Sequence, residues 1–302
     1  MGVRTDAEPE PPTRPPHSLR RNPTMQVVQR LKDGLHEFNR FLVHNETLGS
    51  LVRFQHRHMP LPIPLFDLLF RNKVTATLLF PYGKHVFDAS YKIRTSNDEY
   101  WTSRECLYCH LYRQRFVRWD IVEGLLEEPE IRAFLSRGDL AFLEPGFGTG
   151  RVTRALMERG LMRWRSYYAT EPNAHLCDYV RRRFGKRLGE SFEIHQGKVQ
   201  DLVASPQRFD VLFVNSGVLM FCPKDVVAAF FATLPQRGCR YVLITLEGSP
   251  DGKAFRDHDF APAGNATQYA FRPLLETVYP RARFIARVGP DGIYEYFCMV
   301  AD

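Results

Sequence analysis

The 302-residue chain carries 41 Lys and Arg against 34 Asp and Glu, a formal charge of +7, and is 44% hydrophobic with 23 Phe. That apolar content supports a packed core and excludes a largely disordered protein. Apolar runs such as residues 209–214 and 226–234 are far too short to span a bilayer, so no membrane partner is expected.

Residues 1–24 hold six prolines and little apolar content, and read as a disordered leader. They show no apolar signal region and contain Asp6, Glu8 and Glu10, so the expected location is cytoplasmic. Over residues 25–44 the spacing of Val28, Leu31, Leu35, Phe38 and Leu42 makes one helix face. Prolines 60, 62 and 64 break the chain. Residues 74–80 read as a strand, and residues 103–126 and 129–137 as helices. The segment 82–101 is rich in aromatic side chains. Tyr82, Tyr91, Tyr100 and Trp101 are candidates for a lid over a ligand, because aromatic faces attract cations. Core packing is the competing explanation for each.

Within the helical run 103–126, Cys106-Leu107-Tyr108-Cys109-His110 matches a haem-attachment string. A zinc site needs a second pair of ligands at suitable spacing. The other four cysteines stand singly, so these residues read as ordinary helix positions and no metal is expected. The basic run 181–187 sits at the end of a helix, where positive charge complements the dipole. It reads as a solvated face rather than a nucleic-acid patch, since no aromatic interleaving accompanies it.

Residues 140–150, LAFLEPGFGTG, are the most informative stretch. An apolar run ends in Glu144, glycines follow at 146, 148 and 150, and a helix begins. Glycine at such a turn lets backbone approach a ligand closely. The dinucleotide fingerprint G-x-G-x-x-G would need a third glycine at 151, which is Arg151. An acid in the turn disfavours a pyrophosphate and suits a cation or an amine.

Further apolar runs follow. Residues 164–170 end in Glu171, an acid at a strand tip able to accept from two ribose hydroxyls. Its other role is to cap the helix 173–184. Residues 191–196 lead into a loop at 197–202. Residues 209–214, a helix at 224–234 and residues 240–246 come next. A helix over 267–278 precedes two alternating runs, 281–288 and 293–300, around the turn residues Pro290, Asp291 and Gly292.

The segment Glu144–Gly150 resembles motif I, E/D-x-G-x-G-x-G, of the class I S-adenosylmethionine-dependent methyltransferases, and the order of elements over the last half of the chain is similar to that family. The resemblance implies an α/β fold: a seven-stranded, mostly parallel, doubly wound sheet with an antiparallel C-terminal hairpin. A mostly helical cap would precede it. The expected division is a leader at 1–24, a substrate-binding cap at 25–137 and a cofactor-binding core at 138–302.

The resemblance also assigns roles. Glu144, Gly146, Phe147, Gly148, Thr149 and Gly150 would hold the methionine part of S-adenosyl-L-methionine. Glu171, with Pro172 after it, would hold the ribose. Lys198, Val199 and Gln200 would lie near the adenine, although Lys198 stands where the family often has an acid. Asn215, Ser216 and Gly217 would face the transferred methyl.

A base is required only when the accepting atom starts protonated. No His follows the fourth strand, and Asn215-Ser216-Gly217-Val218 lacks the two prolines common in enzymes that methylate nucleic-acid or protein amines. His258, between Asp257 and Asp259 in an expected loop, is the one candidate base, with a solvated loop His as the plainer reading. The expected activity is methyl transfer to oxygen or nitrogen of a small or medium-sized metabolite. An RNA or protein methyltransferase is the first alternative. An NAD-binding or non-catalytic cofactor-binding protein is the second.

Overall fold

The computed structural model describes residues 34, 37–88, 98–113, 126–215, 218–248, 255–258, 266–269, 271–288 and 294–299, with backbone alone at 73, 88, 98, 246–248, 255–258, 266–268, 286–288 and 294–299. The strands are β1 Ala141–Pro145, β2 Ser166–Glu171, β3 Phe192–Gln196, β4 Val211–Asn215, β5 Tyr241–Gly248, β6 Phe255–His258, β7 Ala266–Tyr269, β8 Arg283–Val288 and β9 Tyr294–Met299. They form one nine-stranded sheet in which the order β3-β2-β1-β4-β5 is parallel. β9 pairs antiparallel with both β5 and β8.

Alternation along the central strands buries both faces of the sheet. Phe142, Phe213 and Leu243 point to one face, and Leu143, Leu212, Val214, Val242 and Ile244 to the other. The second face packs on Val227, Phe230 and Phe231 of the helix Lys224–Thr233 and on Leu275. The first face shares one hydrophobic cluster with Phe66, Phe87, Leu107 and Tyr112 of the N-terminal half.

That N-terminal half is helical: α1 (residues 37–44), α2 (Glu46–His58), α3 (Ile63–Arg71), α4 (Lys73–Leu78) and α5 (Phe80–Gly83), a π-helical turn at Lys84–Asp88, then α6 (Asp98–Thr102), α7 (Arg104–Arg113) and α8 (Pro129–Leu135). It is tied to the sheet layer by a polar contact. Buried Asp67 on α3 accepts from the Tyr179 hydroxyl at 2.7 Å, with Arg71 at 3.3 Å and Arg183 at 3.8 Å. Tyr179 and Arg183 belong to the helix Ala174–Leu188 behind β2.

Three expectations change. Residues 74–80 form helix, not strand. The β-branched residues Val74, Thr75 and Thr77 suggest strand, but the Asn72 side chain accepts from the N–H groups of Val74 and Thr75 and starts α4. The sheet has nine strands rather than seven, because β6 and β7 pair antiparallel with each other. These replace the expected loop around 257–259 and the first turn of the expected helix over 267–278, which begins at Phe271. Each strand is four residues long with a single large apolar residue, Phe255 or Tyr269, so no apolar run announces it. The turn residues 290–292 lie outside the described residues, as do 1–33 and residues 114–125 of the expected helix 103–126.

Candidate active site

The site forms at the C-terminal ends of the parallel strands, where β1 gives way to the helix Arg151–Glu158. Gly146, Gly148 and Gly150 all take positive φ, at 64°, 56° and 61°. Each is held there by a neighbour that a side chain would strike. A Cβ on Gly148 would lie 2.8 Å from the His110 ring, and one on Gly146 2.5 Å from Val218. The bend is fastened to β2 by two hydrogen bonds. The Phe147 N–H donates to the Thr170 carbonyl at 2.9 Å, and the Gly148 N–H donates to Glu171 Oε2 at 2.8 Å.

Glu144 and Glu171 are both buried. Glu144 Oε2 accepts from the Thr153 hydroxyl at 2.7 Å and from the Tyr167 hydroxyl. Burial pushes its carboxyl up to about 7, against the pull of hydrogen bonds from Tyr167, Thr153 and Asn215. Glu171 Oε1 accepts the Asn173 N–H at 3.1 Å. Burial raises this carboxyl to about 7 as well, the N–H groups of Gly148 and Asn173 opposing it.

Asn173 joins the site to the helical half. Its Oδ1 caps the following helix by accepting from the N–H groups of His175 and Leu176, while its Nδ2 donates to the carbonyls of Trp101 at 3.0 Å and Ser103 at 2.7 Å. This places Trp101 over the site, with its ring 4.9 Å from that of Phe221.

A pocket opens against the bend. Of the expected residues, Glu144, Gly146, Phe147, Gly148, Thr149, Glu171, Pro172, Lys198, Val199, Gln200 and Asn215 line it, together with Tyr100 and Trp101. Gly150 does not. It starts the helix as its N-cap and lies against the Phe147 ring, where a Cβ would fall 2.1 Å away. Tyr82 is corrected too. Its hydroxyl pairs with His56 Nδ1 at 2.6 Å in the aromatic core of the helical half, away from the pocket lining. Tyr91, Ser216 and Gly217 lie outside the described residues. His258 ends β6 opposite Ala266, and its side chain lies outside the described residues.

Sequence reasoning missed His110, Arg113 and Arg151, which also line the pocket. Arg151 Nη1 donates to the Arg113 carbonyl at 3.0 Å. Burial, then Arg151 and Arg113, push the His110 imidazole down to about 3, so it is neutral at physiological pH. The string containing His110 was visible, but only tertiary contact sets the ring on Gly148. Cys106 and Cys109 are buried on the same helix.

These groups suit one kind of ligand. Buried carboxylates at the tips of β1 and β2 favour a cation and hydroxyl donors, and the aromatic wall favours a charged sulfur or a flat base. S-adenosylmethionine carries all of these features. Residues 142–236 match a family whose description reads Methyltransferase domain. That stretch is a methyltransferase domain, and its cofactor is S-adenosylmethionine.

No curated protein matches the chain in sequence. Among solved structures, the chain is similar to the glycopeptide N-methyltransferase MtfA complexed with S-adenosyl-L-homocysteine, at 15% identity and a TM-score of 0.42 over 59% of this chain and 90% of that one. It is also similar to magnesium protoporphyrin IX methyltransferase from Synechocystis PCC 6803, at 14% identity and a TM-score of 0.45 over 69% and 99%. An O-methyltransferase family protein from Burkholderia thailandensis matches at 12% identity and a TM-score of 0.48 over 69% and 62%.

Proposed function

We propose that the protein transfers the methyl group of S-adenosylmethionine to an oxygen or nitrogen of a small or medium-sized metabolite in the cytoplasm. One observation carries this reading: the pocket beside the tip of β4 is walled by Tyr100, Trp101 and His110 of the helical half as well as by Val218 and Phe221 of the sheet half. A site closed from two sides excludes water and aligns a compact acceptor, and alignment is most of what this displacement requires. Bound here, S-adenosylmethionine supplies a methyl already activated by the sulfonium.

In this reading residues 138–302 form the cofactor-binding unit and residues 25–137 form the cap over the acceptor. Glu144 and the bend hold the amino-acid end, Glu171 the ribose, and residues 198–200 the base. His258 keeps its candidacy as the base for a protonated acceptor, and H258N is expected to lower kcat with cofactor affinity unchanged.

The test is incubation of the protein with methyl-labelled S-adenosylmethionine and a cell extract separated into small molecules, RNA and protein. Label in the small-molecule fraction supports the proposal. Label confined to RNA or protein overturns it.

A further inference from the structure

The helices at the start of the described chain carry large apolar side chains on their outer faces. On α2 the buried positions are Gly49 and His56, while Leu51 and Phe54 are exposed. On α1 Asn39 is buried, and Phe38 and Phe41 stand in solvent. On α3 Phe66, Asp67 and Phe70 are buried, and Leu65 and Leu68 are exposed; on α4 Val74 and Leu78 are exposed. Each pair is spaced three or four residues apart, so each makes an outward stripe on its helix. All nine exposed large hydrophobic residues among those described fall between positions 38 and 78. Soluble surfaces rarely gather large apolar residues this way unless something covers them.

The charges around these stripes indicate what covers them. The exposed acids Glu37 and Glu46 are each paired, with Arg40 at 3.7 Å and Arg53 at 3.6 Å. Arg57, one turn from Arg53, has no ion pair among the described residues. Arg53, Arg57 and Arg104 line a cavity of about 610 Å³ whose wall also includes exposed Phe54 and whose one acid is Glu105. Apolar stripes beside a cavity whose wall holds three arginines and one acid match the boundary between acyl chains and anionic headgroups. A second copy of the chain would set this basic face against itself. No helix among the described residues is long and apolar enough to cross a membrane, so the fit is to a surface rather than a span.

We propose that helices α1 to α4 dock the protein on an anionic lipid bilayer, with the Arg53, Arg57 and Arg104 cavity receiving a headgroup phosphate. The expectation of no membrane partner rested on the lack of a spanning run, and surface docking is a separate property that needs none.

The test is co-sedimentation of the full chain with vesicles of phosphatidylcholine, with and without phosphatidylglycerol. Binding is expected to the anionic vesicles alone and to weaken with salt. R53E/R57E and L51S/F54S are each expected to reduce it about tenfold, with unchanged melting temperatures confirming that these exposed positions do not unfold the chain. Equal binding to neutral vesicles overturns the proposal. So does a chain that stays off anionic vesicles, whether it elutes as a dimer dissociated by L51S/F54S, which assigns the face to a second copy, or as a monomer, which assigns it to another segment of this chain. Because the readout is sedimentation without S-adenosylmethionine, these outcomes are independent of the methyl acceptor.

Discussion

Glu171 Oε2 accepts the Gly148 N–H at 2.8 Å, joining the tip of β2 to the middle of the glycine bend. The same carboxylate holds the first N–H after β2, so one side chain sets the relative position of the two strand ends that line the pocket. Its replacement separates binding from stability. In E171A two N–H groups lose their acceptor, at roughly 1–3 kcal/mol each, but a buried charge is also relieved. We expect cofactor affinity measured by calorimetry to fall about tenfold or more while the melting temperature changes little. Unaltered affinity would remove Glu171 from the binding site.

Gly148 is constrained twice, by its φ of 56° and by the His110 ring. G148A is expected to lose about 1–2 kcal/mol from the left-handed backbone alone, plus a steric cost. G148A/H110A removes the ring and recovers the steric part only. Denaturant unfolding of the two variants measures the difference. A double variant no more stable than G148A would show that the ring and the glycine do not meet.

The two raised carboxyls give the protein a distinct response to pH. Both have folded values of about 7, above the ordinary value of roughly 4.3 for Glu. Between those values the folded protein keeps protons that the unfolded chain has released. Stability from these groups is therefore full near pH 4 and declines as pH rises through about 7. E144Q should flatten that decline. A cationic ligand favours the ionised forms, so cofactor affinity should rise from pH 6 to pH 8 with proton release at the lower end. Calorimetry in buffers of different ionisation enthalpy reads this directly.

His110 acts with the opposite sign. Its folded value of about 3 lies below the ordinary value of roughly 6.5, so its contribution is present above pH 6.5 and is lost as pH falls toward 3. H110Q should soften the acid limb of a melting-temperature profile. An unchanged acid limb would mean that the ring is not held neutral by its surroundings.

Asn173 caps a helix and also anchors Trp101 and Ser103. Loss of a cap alone costs about 1 kcal/mol. N173A should exceed that and should also raise KM for the acceptor, because the Trp101 wall loses its tether. The variant N173D keeps the cap oxygen but sets a second acceptor against the Trp101 and Ser103 carbonyls, and should leave KM raised.

The central parallel strands and the glycine bend were legible in the sequence because both rest on local rules. The central strands are short apolar runs between breakers, and alternate glycines after an acid describe a turn without reference to the rest of the chain. The residues Glu144, Gly148 and Glu171 followed from their positions at strand tips. β6 and β7 were not legible, because short polar strands form only through each other. The strand expected at 74–80 failed because a single capping side chain, Asn72, outweighed the propensity of three β-branched residues.

What the chain order alone determined was therefore the run of parallel strands and the glycine bend, since each of these signals is complete within a dozen residues. Tertiary structure alone decided that His110 sits on Gly148, that Asn173 ties Trp101 to the site, and that Tyr82 belongs to a core rather than a lid. It also decided that Leu51 and Phe54 face outward while His56 faces in. An amphipathic pattern fixes which residues share a side of a helix, but only the neighbours packed against that helix determine which side is buried.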